Sequence, residues 1–239
     1  MKKTFLLSCL MLAAMPVMAA YTGHVYVDKN KNGVFDQSEK PLAGIKVSDG
    51  LNVVETAADG SFTLPGHERE RFIFITTPSG YKTFNRHYHK IEKKQSGYDF
   101  GLIPYSGRIR KDGSHRYIHI TDTEIFNTEN HADWVNNVHD YARNEQAAFI
   151  IHTGDICYEK GLKAHIKLMN TENMDCPVFY CIGNHDLVKG KYGEELFESI
   201  YGPVYYSFDA GNVHYVVTPM PGGDHAPGYT SDDVCRWLK

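Results

Sequence analysis

Short apolar segments recur about every ten residues in the first part of the chain, and polar turns separate them. The segments are HVYV, GIKVS, NVVETA, SFTLP, RFIFITTP and YDFGLIP, with turn signals such as Asp49-Gly50 and Asp59-Gly60 between them. Short segments of this composition bounded by Asp-Gly and Ser-Gly pairs are typical of β-strands. We therefore predict an all-β domain, a small β-sandwich, over residues 21–104.

The spacing of apolar residues changes from about residue 116 onward. The segments RYIHIT, AAFIIHTG and VFYCIG are each followed by apolar residues at helical spacing. Strands that alternate with helices predict parallel strands in an α/β layer. The segments VYYSFD and VHYVVTP, joined by the turn AGN, predict an antiparallel hairpin. The prediction is a mixed protein: the β-sandwich module, a polar linker over 105–115, and an α/β domain of α/β/β/α type over 116–239.

The first twenty residues have the pattern of a secretory signal peptide. Lys2 and Lys3 precede an apolar run, and the small residues Ala19 and Ala20 end it. The run is short for a membrane span, so cleavage is favoured over a membrane anchor. Cys9 stands very early in the run, which argues against a lipoprotein. We expect export to the periplasm, the cell surface or the medium, with no transmembrane segment in the mature chain.

Composition and charge exclude some classes of partner. The chain has 239 residues, 42% hydrophobic and 23% charged, as in an ordinary globular protein. Its net charge of −4 disfavours general binding of nucleic acid. A small phosphorylated substrate held through metal ions is compatible with this charge. The cysteines at 157, 176, 181 and 235 form no C-x-x-C pair, and free thiols are favoured over a weak alternative, a 176–181 disulfide. Nothing in the composition indicates the oligomeric state.

A loop in the first domain, DKNKNGVFDQSE, has the side-chain spacing of a calcium-binding loop. Its oxygen-bearing side chains are Asp28, Asn30, Asn32, Asp36 and Glu39. Oxygen ligands at this spacing suit Ca²⁺, a hard cation. Predicted strands flank the loop, which excludes a sensor with two helices. A structural Ca²⁺ and an ion-free turn held by Asx side chains are both compatible with this pattern.

Polar side chains follow three predicted strands of the α/β domain at the point where each strand ends. Asp122 and Glu124 follow the first strand, Asp155 follows the second, and Asn184 and His185 follow the third. Ligands of open α/β sheets bind outside the carboxyl ends of the strands, so these side chains should converge in one cleft. Carboxylates crowded in this way repel one another unless cations neutralise them. Oxygen ligands with imidazole nearby suit Mn, Fe or Zn better than Cu.

The three polar segments are ITDTE, HTGDICYEKG and YCIGNHD, about thirty residues apart. Together they resemble the first three motifs of the calcineurin-like metallophosphoesterases, D-x-H, G-D and G-N-H-D/E. The resemblance covers residues 116–239. The β-domain ahead of it is similar to the N-terminal module that some secreted bacterial members carry.

The resemblance implies hydrolysis of small phosphate esters at a site with two divalent metals. By this likeness Asp155 bridges the metals, Asp122 ligates the first, and Asn184 ligates the second. His185 contacts the phosphoryl group as the catalytic residue. Glu124 stands where the family has histidine, and its oxygen donor favours a harder ion such as Mn²⁺ or Mg²⁺.

The chain departs from the family pattern after the G-N-H-D motif. The family completes its site with a lone histidine and a G-H-x-H motif, whereas this chain continues only with His214 and His225. A final predicted helix, capped by Ser231, ends at Lys239. We therefore expect a C-terminally truncated, impaired enzyme. The alternatives are a non-catalytic binding or surface module, an inactive gene fragment, and an intact enzyme that uses His225 or His214 as a substitute ligand.

Overall fold

The computed structural model describes residues 20–84, 86–93, 95, 97–105, 108–188 and 190–239. Residues 1–19, which hold most of the predicted signal peptide and Cys9, lie outside the described residues, as do linker positions 106 and 107. Within the described part of the chain, no helix is both long enough and apolar enough to cross a membrane.

The N-terminal module is built from nine short strands in two sheets. One sheet has the order β2-β1-β9-β7, with β5 also pairing with β1, and the other has the order β4-β3-β6-β8. Alternate residues of the strands point inward, and the fully buried Val25, Leu64, Ile73 and Leu102 belong to the core between the sheets. The predicted β-sandwich is confirmed. Its strands are β1 Tyr21–Val27, β2 Lys40–Pro41, β3 Lys46–Ser48, β4 Val53–Glu55, β5 Ser61–Leu64, β6 Phe72–Ile75, β7 Tyr81–Thr83, β8 Tyr88–Lys90 and β9 Phe100–Pro104.

The second part of the chain is an α/β domain. Its strands β10, β11 and β12 are parallel and adjacent in chain order, and β13 and β14 form the predicted antiparallel hairpin. The mixed fold class, a β-rich module followed by an α/β domain, is therefore confirmed. The elements are β10 Tyr117–Ile120, α1 His131–Asn144, β11 Phe149–His152, α2 Tyr158–Leu168, β12 Val178–Tyr180, α3 Glu195–Tyr201, β13 Tyr206–Ala210, β14 Val213–Val217 and α4 Ser231–Trp237.

Helix α4 begins with a capping box, one residue earlier than the predicted cap. The Thr230 hydroxyl accepts a hydrogen bond from the Asp233 backbone N–H at 3.2 Å, and the Asp233 carboxylate accepts one from the Thr230 N–H at 3.0 Å. This reciprocal pair satisfies two helix-end groups. The predicted cap at Ser231 is wrong, because Ser231 is the first residue of the helix.

The two parts of the chain share one hydrophobic cluster. Phe72, Phe74 and Tyr88 of the module pack with aromatic residues of the α/β domain, among them Phe179 and Phe208, whose rings stack at 3.6 Å. The module is therefore packed against the α/β domain over an apolar face.

A buried ion cluster lies at the same boundary. Arg71 of the module contacts Glu194 at 2.9 Å and Glu198 at 2.8 Å. Glu194 is fully buried and also accepts hydrogen bonds from the Gly228 backbone N–H. Burial raises the pKa of Glu198 to about 7, although the positive charge of Arg71 opposes this shift. Two buried carboxylates thus depend on one arginine for their neutralisation.

Candidate functional site

The strand-end loops of β10 and β11 are joined by backbone hydrogen bonds. Asp122 N–H donates to the Gly154 carbonyl at 3.0 Å, and Glu124 N–H donates to the Asp155 carbonyl at 2.9 Å. These bonds continue the pairing of the two parallel strands beyond their last residues. The backbones that carry Asp122, Glu124 and Asp155 therefore lie side by side at one edge of the sheet.

Two glycines allow the loop after β12 to close on the loop after β11. A Cβ atom on Gly183 would lie 2.2 Å from the Asp155 nitrogen, and one on Gly154 would lie 2.3 Å from the Gly183 nitrogen. Neither position has room for a side chain. The close approach lets the His185 N–H donate to Asp155 Oδ1 at 3.0 Å. All three strand-end loops are thus brought together.

The backbone of these loops is left-handed at several residues that have side chains. The φ angles are 52° at Asp122, 41° at Glu124, 53° at Asp155, 75° at Cys157 and 50° at Tyr158. Non-glycine residues rarely adopt this conformation, and such residues concentrate at functional sites, where surrounding contacts hold them. The strain therefore coincides with the predicted site.

Asp186 holds the loops together from inside the protein. It is fully buried, and its carboxylate accepts hydrogen bonds from the backbone N–H groups of Cys157 at 2.9 Å and Gly183 at 3.0 Å. Burial raises the pKa of this carboxyl, and the two N–H donors oppose the shift. Asp186 therefore supports the loops and does not face the cleft with His185.

His152, the last residue of β11, contacts the same loops from the buried side of the sheet edge. It is fully buried, and its Nδ1 accepts from the Gly154 N–H at 3.2 Å. Its Nε2 lies 3.0 Å from the Thr123 hydroxyl, which assigns the ring proton to Nε2. Burial lowers the pKa of His152 to about 4, so the ring is neutral near pH 7.

Two further buried histidines lie next to His152. The ring centroid of His165 is 5.2 Å from that of His152, and His165 Nδ1 is 3.3 Å from His131 Nε2. His165 Nε2 has no hydrogen-bond partner in the described part of the chain. Burial, with smaller contributions from its two histidine neighbours, lowers the pKa of His165 to about 2. This cluster is part of the neutral core.

A residue that the sequence analysis did not place in the site, Asp224, contacts the predicted catalytic histidine. His185 Nδ1 lies 2.9 Å from Asp224 Oδ2, and the Asp224 backbone N–H donates to the Asn184 carbonyl at 3.1 Å. A Cβ atom on Gly223 would lie 2.3 Å from that carbonyl oxygen, so the loop after β14 packs directly on the Asn184 loop. The hydrogen bond to Asp224 raises the pKa of His185. The glycines of PGGDHAPG were the signal for this close packing.

Negative charge accumulates around His185 and Cys157. Asp155 and Glu124 add to the effect of Asp224 in raising the pKa of His185. Burial, together with the negative charges of Asp186 and of the same three carboxylates, raises the pKa of the Cys157 thiol to about 12. Cys157 therefore stays protonated and is no nucleophile. Asp155 and Glu124 therefore both lie close enough to His185 and Cys157 to raise the pKa values of these two residues.

The donor chemistry of the predicted ligands fits a hard divalent cation. Asp122, Glu124, Asp155 and Asn184 all offer oxygen. Among the described residues, however, no group of three or more His, Cys, Asp or Glu side chains is arranged to hold a metal ion. The loops that carry these donors lie together at one edge of the sheet. Their metal roles remain predictions.

Of the two histidines weighed as substitute ligands, His214 has another partner. It lies on β14 and its Nδ1 contacts Asp209 of β13 at 2.6 Å. His225 is exposed in the loop that carries Asp224.

The calcium-like loop is satisfied by its own hydrogen bonds. The Asp28 carboxylate accepts from the backbone N–H groups of Asn32 at 3.2 Å and Gly33 at 2.9 Å. The Glu39 carboxylate accepts from Lys29 N–H at 2.8 Å and from Asp36 N–H at 3.2 Å. The side-chain amides of Asn30 and Asn32 donate to Asp36 at 2.7 and 3.1 Å. These contacts suit a turn held by Asx side chains, and a bound Ca²⁺ stays a prediction.

The structure joins a β-sandwich to an α/β domain whose strand-end loops carry polar residues side by side. The family model described as calcineurin-like phosphoesterase matches residues 115–234, and the model described as the N terminal of calcineurin-like phosphoesterase matches residues 29–104. The chain belongs to the calcineurin-like phosphoesterase family. Domains of this family hydrolyse phosphate esters and generally use divalent metals, which implies small phosphorylated substrates. No curated protein matches the chain in a sequence comparison.

Proposed function

We propose that the α/β domain hydrolyses small phosphate esters at the strand-end cleft. Asp122, Glu124, Asp155 and Asn184 would hold the divalent cations, and His185 would contact the phosphoryl group. The observation that supports this most is the closure of three loops on one another through the hydrogen bonds of Asp155 and the close approach of Gly183. Loops that are locked in this way hold functional groups in a fixed relation, which a catalytic site requires.

His185 is the residue to which we assign proton transfer. Its Nδ1 is occupied by Asp224, so the hydrogen bond orients the ring and leaves Nε2 for the substrate. A proton held at Nε2 can pass to the departing oxygen, a step that contributes about a hundredfold to ten-thousandfold in known enzymes. A bound divalent cation would supply positive charge against the phosphoryl oxygens.

We propose weak metal uptake and slow turnover for this chain. Four oxygen donors are few for two ions. Among the described residues, no three His, Cys, Asp or Glu side chains form a group that could hold a metal ion. Of Mn, Fe and Zn, we favour Mn²⁺ because the candidate donors are all oxygens.

The proposal is tested by Mn²⁺-dependent hydrolysis of p-nitrophenyl phosphate. His185→Ala and Asp155→Asn should abolish a slow, metal-dependent rate. The matched control is His214→Ala, which removes a similar exposed His–Asp pair at 2.6 Å on the β13–β14 hairpin and should keep the rate. The proposal fails if Mn²⁺ produces no rate above buffer, or if all three variants behave alike. Turnover in the ordinary range of about 1–10³ s⁻¹ would contradict the predicted impairment.

We also propose that residues 1–20 direct export and are removed, since their pattern is that of a signal peptide. Expression of the full chain in a bacterium should place a product that begins near Tyr21 in the periplasm. N-terminal sequencing of the fractionated protein tests this, and a product that keeps Met1 in the cytoplasm would refute it.

A further inference from the structure

Two large aromatic side chains stand exposed beside the candidate catalytic histidine. Phe126 is 59% exposed and Tyr158 is 42% exposed, and their ring centroids lie 5.7 Å apart. Phe126 follows the β10 loop that carries Glu124, and Tyr158 begins α2 just after the Asp155 loop. Single exposed apolar residues are common, but a pair that converges from two loops of one site forms a surface suited to a ligand.

The position of this pair is tied to His185. The Tyr158 ring centroid lies 6.1 Å from the His185 ring centroid. His185 Nδ1 in turn contacts the Asp224 carboxylate at 2.9 Å. The aromatic pair therefore lies next to the point where a phosphoryl group would be contacted.

The backbone around the pair is also constrained. Phe126 N–H donates to the Glu124 carbonyl at 2.8 Å, which closes a tight turn before the ring. Tyr158 has a left-handed φ of 50° at the start of α2. Side chains on constrained backbone lose little further freedom when a ligand stacks on them, so stacking is favoured.

We propose that Phe126 and Tyr158 form a stacking subsite for the leaving group, so that the substrates are phosphate esters whose leaving group carries an aromatic ring. The inference rests on the proposed function for the position of the phosphoryl group. Aromatic rings stack with centroids about 4.5–7 Å apart, a distance that the exposed faces of Phe126 and Tyr158 can offer to a ring bonded to that group.

The test uses two phosphonates that share the anionic group and differ in the ring, phenylphosphonate and methylphosphonate. Neither is hydrolysed, and NMR titration of the Mg²⁺-loaded full chain gives both dissociation constants. Stacking contributions of known aromatic pairs convert to about twofold to tenfold in affinity. The wild-type protein should therefore prefer phenylphosphonate by at least about twofold over methylphosphonate.

The variants separate a ring effect from a general apolar effect. Phe126→Leu and Tyr158→Leu should lower the ratio of the two affinities toward one, without weakening the binding of methylphosphonate. Tyr158→Phe, which keeps the ring and loses only the hydroxyl, should keep the preference. Tyr141→Leu is the matched control, since Tyr141 is a 60% exposed tyrosine on α1.

Equal binding of the two phosphonates by the wild-type protein would overturn the subsite alone. An unchanged preference in both leucine variants would do the same. Binding of neither phosphonate would overturn the proposed phosphoryl site itself, and the subsite with it. Failure of the inference is thus distinguishable from failure of the proposed function.

Discussion

Closure of the site depends on the absence of a side chain at Gly183, and Gly183→Ala tests this directly. A Cβ atom there would lie 2.2 Å from the Asp155 nitrogen and 2.1 Å from Asp155 Oδ1. Contacts of real Cβ atoms under 3.0 Å are essentially never found, so the loops must separate by at least 0.8 Å. The φ angle of Gly183 is not in the left-handed range, so alanine itself causes no backbone strain there.

The expected cost has two parts. Overpacking of a tight contact costs about 1–3 kcal/mol, and loss of a hydrogen bond to a charged acceptor costs about 1.5–3 kcal/mol. The second part applies because separation of the loops stretches the 3.0 Å bond from His185 N–H to Asp155 Oδ1. We therefore expect Gly183→Ala to lower the free energy of unfolding by about 3–5 kcal/mol.

Denaturant unfolding measures this change, and Mn²⁺ titration of the folded variant measures what remains of the site. The controls are Gly97→Ala and Gly222→Ala, because a Cβ atom at either position would meet nothing within 4 Å. Gly222 also lies two residues before Asp224, so it controls for changes in that loop. If Gly183→Ala unfolds within about 0.5 kcal/mol of these controls and takes up Mn²⁺ as they do, the argument for loop closure is refuted.

Three further predictions concern the buried charged and titratable groups. Arg71→Met leaves Glu194 and Glu198 buried without a cation and should lower the free energy of unfolding by about 3 kcal/mol or more. Arg116→Met, at an exposed ion pair, should lower it by under about 1 kcal/mol, and equal losses would contradict the comparison. The pKa of Glu198 rises from 4.5 to about 7 on folding, so the folded protein binds more protons than the unfolded chain between these pH values. The contribution of this group to the free energy of unfolding is therefore complete below pH 4.5 and is lost as the pH rises through 7. Glu198→Gln should remove that loss, and a stability profile that keeps the wild-type slope between pH 4.5 and 7 would refute this. The pKa of His165 falls from 6.5 to about 2 on folding. Below pH 6.5 the folded protein therefore binds fewer protons than the unfolded chain, and the free energy of unfolding falls on acidification. His165→Phe should reduce that fall by up to about 1.4 kcal/mol per pH unit, measured by denaturant unfolding at several pH values, and an unchanged slope would count against it.

Elements with a clear apolar pattern were predictable from the sequence, including the three-residue strands β3, β4 and β12, whereas β2, β7 and β8 were not. The segment SFTL alternates in burial along β5, and FIFI of β6 is buried throughout, so both stand out as strands. Strands β2, β7 and β8 have two or three residues each and show no period. Strand β8 is held by pairing with β6 and by the contact of Tyr88 with Phe72 at 5.5 Å, which are long-range effects.

The edge of the sheet at which the polar residues lie was also predictable, because it follows from parallel strand order. The partners of those residues were not. Asp186 adjoins His185 in the sequence, yet its carboxylate points inward to the Cys157 and Gly183 N–H groups. Asp224 reaches His185 from 39 residues away, through a loop with no periodic signal. Loop docking of this kind depends on tertiary contacts that one sequence read locally does not display.

The way the loops are held determines which ligand variants are informative. The loops that carry Asp122 and Glu124 are fixed by backbone hydrogen bonds, and both side chains are exposed. Replacing either carboxylate with its amide should therefore leave the fold intact. Asp122→Asn should change metal uptake, whereas Glu124→Gln also removes a charge that raises the pKa of His185. Asp155 differs, since its Oδ1 accepts the His185 N–H and its loss loosens the third loop as well. Loss of activity in an Asp155 or Glu124 variant thus combines two effects, whereas loss in Asp122→Asn reports on the metal role by itself.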